Sequence, residues 1–295
     1  MTHPLYLPRG SAASGDDPVA IDPGRAEWEF TALRVIEIPP NGRRTLETGT
    51  QEIAVLPLSG ACVVECDGRR FELEGREHVF ARVSDFAYVP RDAHVSLTSE
   101  AGGRFALPAA EARRRLEPRY GPADKVPVEI RGAGQASRQI NNFLEPSAFA
   151  ADRLCVVEVL TPEGNWSSYP PHKHDELRSG EVALEEIYYF EIAKVNDSER
   201  EVGTGFGLHR LYTSDGEIDL TEAVGHGDVV LIPRGYHGPS VAAPGYDMYY
   251  LNVLAGPHGA RSMAFSDDPE HHWVRATWDA QDKDPRLPLT TAQGA

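Results

Sequence analysis

The chain has 295 residues, 41% of them hydrophobic and 25% charged, which excludes a disordered or fibrous protein and bounds an ordinary globular one. Its 29 Lys and Arg stand against 45 Asp and Glu, and the formal charge of −16 repels a phosphate backbone and argues against nucleic-acid binding. No run approaches the ~20 apolar residues of a membrane span, and the opening Met1-Thr-His-Pro-Leu lacks a signal-peptide core, so a cytoplasmic protein without membrane contact is expected.

Residues 1–25 carry several Pro and Gly with little periodicity, as an arm that packs on a neighbouring domain or subunit would. From Trp28 the pattern changes to short β-branched segments, Phe30–Ile38, Glu52–Leu58, Ala61–Glu65 and Arg70–Leu73, divided by turn residues. Such spacing predicts an all-β barrel or sandwich. Cys62, Cys66 and Cys155 form no disulfide framework and read as reduced core thiols. Pro108–Glu117 is rich in helix formers and stops before Pro118, which predicts a helix, followed by a linker over 119–126. A second strand-rich half follows, with Leu154–Leu160, Ile187–Ala193, Gly207–Thr213, Asp228–Pro233 and Met248–Leu254, and residues 281–295 read as a loose tail.

The halves look like copies. The segment from Glu52 to Gly60 parallels that from Glu186 to Ala193, and Asp85-Phe-Ala-Tyr-Val-Pro90-Arg-Asp-Ala-His94 parallels Asp228-Val-Val-Leu-Ile-Pro233-Arg-Gly-Tyr-His237. Two barrels are expected, over 1–125 and 126–295. The sharpest chemistry lies in the second. His172 and His174, two apart in extended chain, point to one face, where both imidazoles can approach one ion. A carboxylate from Glu185 or Glu186 completes three ligands, and only one of these neighbours can face inward. His237 follows a Pro-Gly turn and is the fourth candidate. A lone His is more often a core or surface residue, but four such coincidences favour a metal site. The first half has Arg43-Arg-Thr45 near the place of the His pair and keeps only Glu52 and His94, so it is expected to be metal-free.

These strings resemble the two motifs of the cupin superfamily, with an inserted loop at 175–184 and the last His one residue early. Across residues 165–257, Tyr169-Pro-Pro-His-Lys-His-Asp175, Leu184-Glu-Glu-Ile-Tyr-Tyr-Phe190, Gly205-Phe-Gly-Leu-His-Arg-Leu-Tyr212 and Pro233-Arg-Gly-Tyr-His-Gly-Pro239 resemble the 5-deoxy-glucuronate isomerases of bacterial myo-inositol catabolism and, more distantly, pectin-pathway uronate isomerases. The resemblance implies a bicupin, two double-stranded β-helix barrels, that converts 5-deoxy-glucuronate to 5-dehydro-2-deoxy-gluconate. The superfamily spacing favours Glu186 as the ligand, while the isomerase relatives fit Glu185 about as well.

Aldose to ketose isomerisation moves a proton between adjacent carbons through an enediol, chemistry that one divalent ion per chain, Zn or Mn, would assist. Tyr188, Tyr249, Tyr250 and His209 are the candidates to position or relay that proton, although barrel filling is the ordinary role of such aromatics. The anionic sugar acid needs a cation, and Arg210, Arg234, Arg178 and Lys173 lie within the motif strings, Arg210 foremost. Of other readings, a cupin dioxygenase would consume oxygen with iron, and a sugar-binding cupin would bind without turnover. Self-association into a homo-oligomer is expected from the arm and the barrel edges.

Overall fold

The structure, a computed structural model, describes residues 3–195, 202–257 and 261–294. The N-terminal half forms a nine-stranded sheet around the long strand Gln51–Cys66, whose neighbours include Arg69–Arg76, Phe86–Val89, His94–Ser99 and Gly103–Glu111. In the C-terminal half a seven-stranded sheet runs in the order Tyr6–Leu7, Val229–Ile232, Glu185–Lys194, Tyr246–Ala255, Cys155–Thr161, Arg138–Asn141, Val128–Arg131. A six-stranded sheet containing Gly207–Tyr212, Tyr236–Ala242 and His172–Lys173 completes that barrel. The fold is the expected bicupin.

Alternation gives each major strand two buried faces. One face fills its own barrel: Ile36, Val55, Val64 and Leu97 in the first, Val159, Tyr188, Phe190 and Tyr250 in the second. The other face meets the opposite half, where Leu33, Leu56, Phe80 and Tyr88 pack with Val156, Ile187, Tyr189 and Leu251 in a third core. With apolar burial contributing roughly 25 cal/mol per Å², this shared core makes the halves one cooperative body.

Matching ladders show how the copies correspond. Ile53 pairs with Val89, just before Pro90, and Glu186 pairs with Ile232, just before Pro233. Glu186 therefore corresponds to Ile53, and Glu52 corresponds to Glu185, one residue away from the alignment expected from sequence. Both of these carboxylates tie the halves together. Glu185 accepts the backbone N–H groups of Glu29, Phe30 and Thr31 at 2.8, 2.8 and 2.9 Å. Glu52 accepts those of Asp152, Arg153 and Leu154 at 2.7, 2.6 and 2.7 Å, together with the Tyr88 hydroxyl at 2.6 Å. Each half thus caps the first barrel strand of the other.

The edges are exchanged as well. The arm strand Tyr6–Leu7 joins Val229–Ile232 of the second barrel, and Arg119–Gly121, from the expected linker, joins Phe86–Val89 of the first. The Tyr6 hydroxyl donates to Asp228 at 2.6 Å, and its counterpart Tyr120 donates to Asp85 at 2.8 Å. Edges covered in this way no longer offer unpaired groups to another chain.

Two expectations fail. Pro108–Glu117 is no helix: Gly103–Glu111 is a strand between Thr31–Ile38 and Gln51–Cys66, and the rest is loop. Burying Leu107, Ala109 and Ala110 in the sheet outweighs helix propensity, and Pro108 falls where the ladder to Gln51–Cys66 skips from Ala109 to Ala106. Nor is the tail loose. Buried Gln139 donates to the Thr290 carbonyl at 2.8 Å and accepts from its N–H at 3.0 Å, while Val83 N–H donates to Thr291 O at 3.0 Å. Its residues show no apolar period, so nothing announced a segment held by these hydrogen bonds and by Leu289 against the shared core.

Candidate metal centre

The candidate ligands come from both sheets of the C-terminal barrel. The start of the strand Glu185–Lys194 supplies Glu186; the facing sheet supplies His237 from Tyr236–Ala242 and His172 from the strand paired with it, the two being direct cross-strand partners. His174 lies two residues on. Gly238 keeps this seam close: at φ +91° its backbone sits where a Cβ would fall 1.9 Å from Ser168 O.

The ligand atoms of His174, Glu186 and His237 all lie within 4.8 Å of one another, and all three residues are buried. His174 Nε2 and His237 Nε2 are 3.0 and 3.1 Å from the same oxygen, Glu186 Oε2. His237 Nδ1 lies 3.3 Å from Gly235 O, a partner that leaves the Nε2 lone pair facing the carboxylate. Among the described residues no hydrogen bond satisfies that buried Nε2. A lone pair aimed at an anion is unfavourable unless a cation lies between them, so the donor set fits a metal ion. Burial, then the neighbouring imidazoles, hold His237 well below the ordinary histidine range and thus neutral, as a ligand must be. Burial likewise depresses half-buried His172, whose ring is 4.5 Å from that of His237 but whose nitrogens fall outside the converging group. Glu185 is turned to the other half and lies outside this converging group.

In the first barrel Ile53 stands at the position of Glu186, and exposed His94 pairs with Glu47 at 2.6 Å. Among the described residues, the triad in the second barrel is the one such converging group.

A cavity of about 320 Å³ opens over the triad, lined by His172, Tyr188, Tyr250, Asn252, Arg131 and Arg138 among others. Ser168 Oγ lies 3.0 Å from the Tyr188 hydroxyl and 3.3 Å from that of Tyr250. Burial raises both phenols above their ordinary range, which favours their protonated form. Tyr249 faces the core between the halves instead.

His209 is fully buried behind Tyr188, ring centroids 4.9 Å apart, and does not line the cavity. Its Nδ1 is 2.8 Å from Ser240 Oγ, and burial pushes its pKa down to about 3. Unfolding returns it to about 6.5, so the unfolded chain binds the extra proton below that pH. Stability is therefore lost as pH falls from about 6.5 towards 3, at up to about 1.4 kcal/mol per pH unit for this one group. Urea titrations of chelated protein between pH 6 and 4 should show a slope smaller by about that amount in His209→Gln; equal slopes would refute the assignment.

The cations expected to hold a carboxylate lie elsewhere. Arg210 is exposed and packs on Tyr212 at 4.1 Å, because alternation turns His209 inward. Lys173 is bound to Asp175, Glu181 and Glu176 on the far side of its strand. Arg234 pairs with Asp215 and Glu217, and Arg178 with Glu181 and Glu176, all at the surface side of the insertion. Sequence reasoning missed Arg131 and Arg138, which precede every motif string; the only signal was alternation setting Arg138 on one face with Ile140.

The KduI/IolB family model matches residues 5–274. The chain belongs to the KduI/IolB family. Relatives in this family include the 5-deoxy-glucuronate isomerase of Geobacillus kaustophilus, 40% identical over 92% of this chain and 95% of that one. That of Bacillus subtilis strain 168 is 37% identical over 84% and 89%. An IolB-like protein from Salmonella typhimurium LT2 superposes with a TM-score of 0.83 at 32% identity, covering 92% of this chain and 98% of that one. An oxalate decarboxylase of Bacillus subtilis, at 14% identity and a TM-score of 0.58 over 90% and 82% of the chains, shares the fold alone. No helix among the described residues is long and apolar enough to cross a membrane.

Proposed function

We propose that this protein is a 5-deoxy-glucuronate isomerase, interconverting aldose and ketose forms of the sugar acid in myo-inositol catabolism. The observation that carries the reading is the convergence of His174, Glu186 and His237 on one point in a family whose relatives are named for that activity. His174, Glu186 and His237, with His172 on the adjoining strand, would hold one divalent ion of the Zn²⁺ or Mn²⁺ type, mixed nitrogen and oxygen ligation being open to several first-row metals. Such an ion polarises a carbonyl and its neighbouring hydroxyl and so favours loss of the intervening C–H proton.

The chain's own groups supply orientation. Tyr188 and Tyr250, protonated and joined through Ser168, present hydroxyl donors to substrate oxygens beside the ligands. Val157, Val159, Leu254, Met263 and Phe265 line the remaining wall and limit water around the reacting carbons.

The test is NMR of 5-deoxy-glucuronate in D₂O with the protein, before and after chelation. Loss of the aldehyde signal, growth of a ketone, and deuterium at the transferred position, all dependent on metal, are expected. A metal-loaded protein that leaves the substrate unchanged would refute the assignment; conversion without deuterium uptake would replace the enediol by a hydride shift.

A further inference from the structure

The seven-stranded sheet presents one face to the cavity. In sheet order that face carries Glu186 and Tyr188, then Tyr250 and Asn252, then Val157 and Val159, then Arg138 and Ile140, and finally Arg131. The strand that carries Glu186 and the strand that carries Arg138 are therefore separated by two others, Tyr246–Ala255 and Cys155–Thr161. Side chains reaching inward from both strands meet the same cavity of about 320 Å³.

Arg131 and Arg138 are direct cross-strand partners on this face. Like charges so placed repel unless each is compensated. Arg131 is compensated, its Nε and Nη2 gripping both oxygens of Glu129 at 2.8 Å. Arg275, the other nearby cation, is bound in the same two-pronged way by Asp267. Arg138 is different. It is 3% exposed, no carboxylate pairs with it among the described residues, and only its Nη1 is engaged, by the carbonyls of Ala136 at 3.0 Å and Tyr169 at 3.4 Å. Its guanidinium carbon lies 5.7 Å over the Trp278 ring, and its Nε and Nη2 have no acceptor among the described residues. Glu145, the other acid besides Glu186 on the cavity wall, is engaged by Ser147.

Such an environment disfavours a cation. Burial, with the Arg131 and Arg275 charges adding to it, brings the Arg138 pKa down to about 10. Gly132 helps to hold the group there: at φ +82°, a Cβ would fall 1.9 Å from Ala136 O and 2.9 Å from Arg138 Nη1. A buried, uncompensated guanidinium with free donors that shares a cavity with a metal-ligand cluster is the arrangement that a bound carboxylate completes.

We propose that Arg138 binds the substrate's carboxylate within the cavity while the reacting carbons lie at the metal ligands. This rests on the isomerase reading for the identity of the sugar acid but not for the recognition of a carboxylate. It gives the site a measure of chain length: an acid whose carboxylate and carbonyl are separated by the right number of carbons reaches Arg138 and the metal ligands at once.

The test compares 5-deoxy-D-glucuronate with 5-deoxy-D-glucose, in which a CH₂OH replaces the carboxylate, by calorimetric titration of metal-loaded wild type, Arg138→Gln and Arg138→Lys, with turnover read separately. Wild type should bind the acid about 10–100-fold more tightly than the neutral sugar, the range of a charge-assisted pair. Arg138→Gln should lose that preference, with neutral-sugar affinity and metal content unchanged, and Arg138→Lys should restore part of it. In turnover the loss should fall mainly on KM. Acid affinity unchanged in Arg138→Gln, equal weakening of both ligands, or a wild type that does not prefer the acid would each overturn the proposal. Should Arg138→Gln not fold, Arg138→Lys must still show an intermediate loss of preference. Arg138-dependent acid binding without turnover would uphold the anchor and remove the isomerase reading instead.

Discussion

Glu186→Gln is expected to lower turnover on the order of a thousandfold, several kcal/mol of transition-state stabilisation, and to reduce bound metal by at least about tenfold. Its oxygen Oε2 is the point on which His174 and His237 converge, and an amide there supplies neither the charge nor the second lone-pair oxygen that holds a divalent ion between neutral imidazoles. Removing this buried acid does not unfold the barrel, since an amide of the same shape can still accept from His174 Nε2 at 3.0 Å. Circular dichroism should therefore be unchanged while plasma emission reports the lost metal. The neighbouring variant provides the contrast. Glu185→Ala should keep its metal and instead melt earlier, because the N–H groups of Glu29, Phe30 and Thr31 lose their acceptor. If Glu185→Ala loses the metal and Glu186→Gln keeps it, the site has been read on the wrong face of the strand.

Arg76→Met is expected to destabilise the protein by about 3–5 kcal/mol, the loss seen when one member of a buried ion pair is left alone. Arg76, from the first half, and Glu158, from the second, are both fully buried and joined by two hydrogen bonds of 3.0 and 2.8 Å. Asn141 donates to the same carboxylate at 2.8 Å, and Arg76 also donates to the carbonyls of Pro57, Val79 and Arg82. The variant strands the Glu158 charge between the halves, where no solvent can reach it. Coupling the change to Glu158→Leu should recover most of the loss, because the pair's attraction largely offsets its own desolvation. Urea midpoints of wild type, both single variants and the double variant test this. A double variant as unstable as Arg76→Met would show that the carbonyl bonds of Arg76, rather than the charge pair, hold the halves together.

Much of this molecule could be read along the chain. Both barrels follow from short β-branched runs between turn residues, and their duplication from the two Asp-to-His segments ending at His94 and His237. His174 and His237 were legible as a converging pair because alternation and turn chemistry act over a few residues, while His172 comes beside them with its nitrogens outside the group. The choice between Glu185 and Glu186 was not. The two are adjacent and identical, and what separates them is that one face of their strand meets the other half while the opposite face lines a barrel.

The same limit explains the other corrections. Nothing local marks Pro108–Glu111 as a central strand, because its fate depends on burying Ala109 and Ala110 between two strands that lie more than fifty residues upstream. The motif-borne Arg210 and Lys173 pointed away from the cavity for the very reason that their neighbours His209, His172 and His174 pointed inward. Arg138 reached the cavity from a strand outside every motif, through the order in which strands pair. Sequence alone determined the β architecture, its duplication and the histidine pattern, since these rest on periodicities imposed by the backbone itself. Tertiary structure decided which carboxylate meets the histidines, which arginine enters the cavity and how the halves clasp each other, since those depend on which faces are buried against distant parts of the chain.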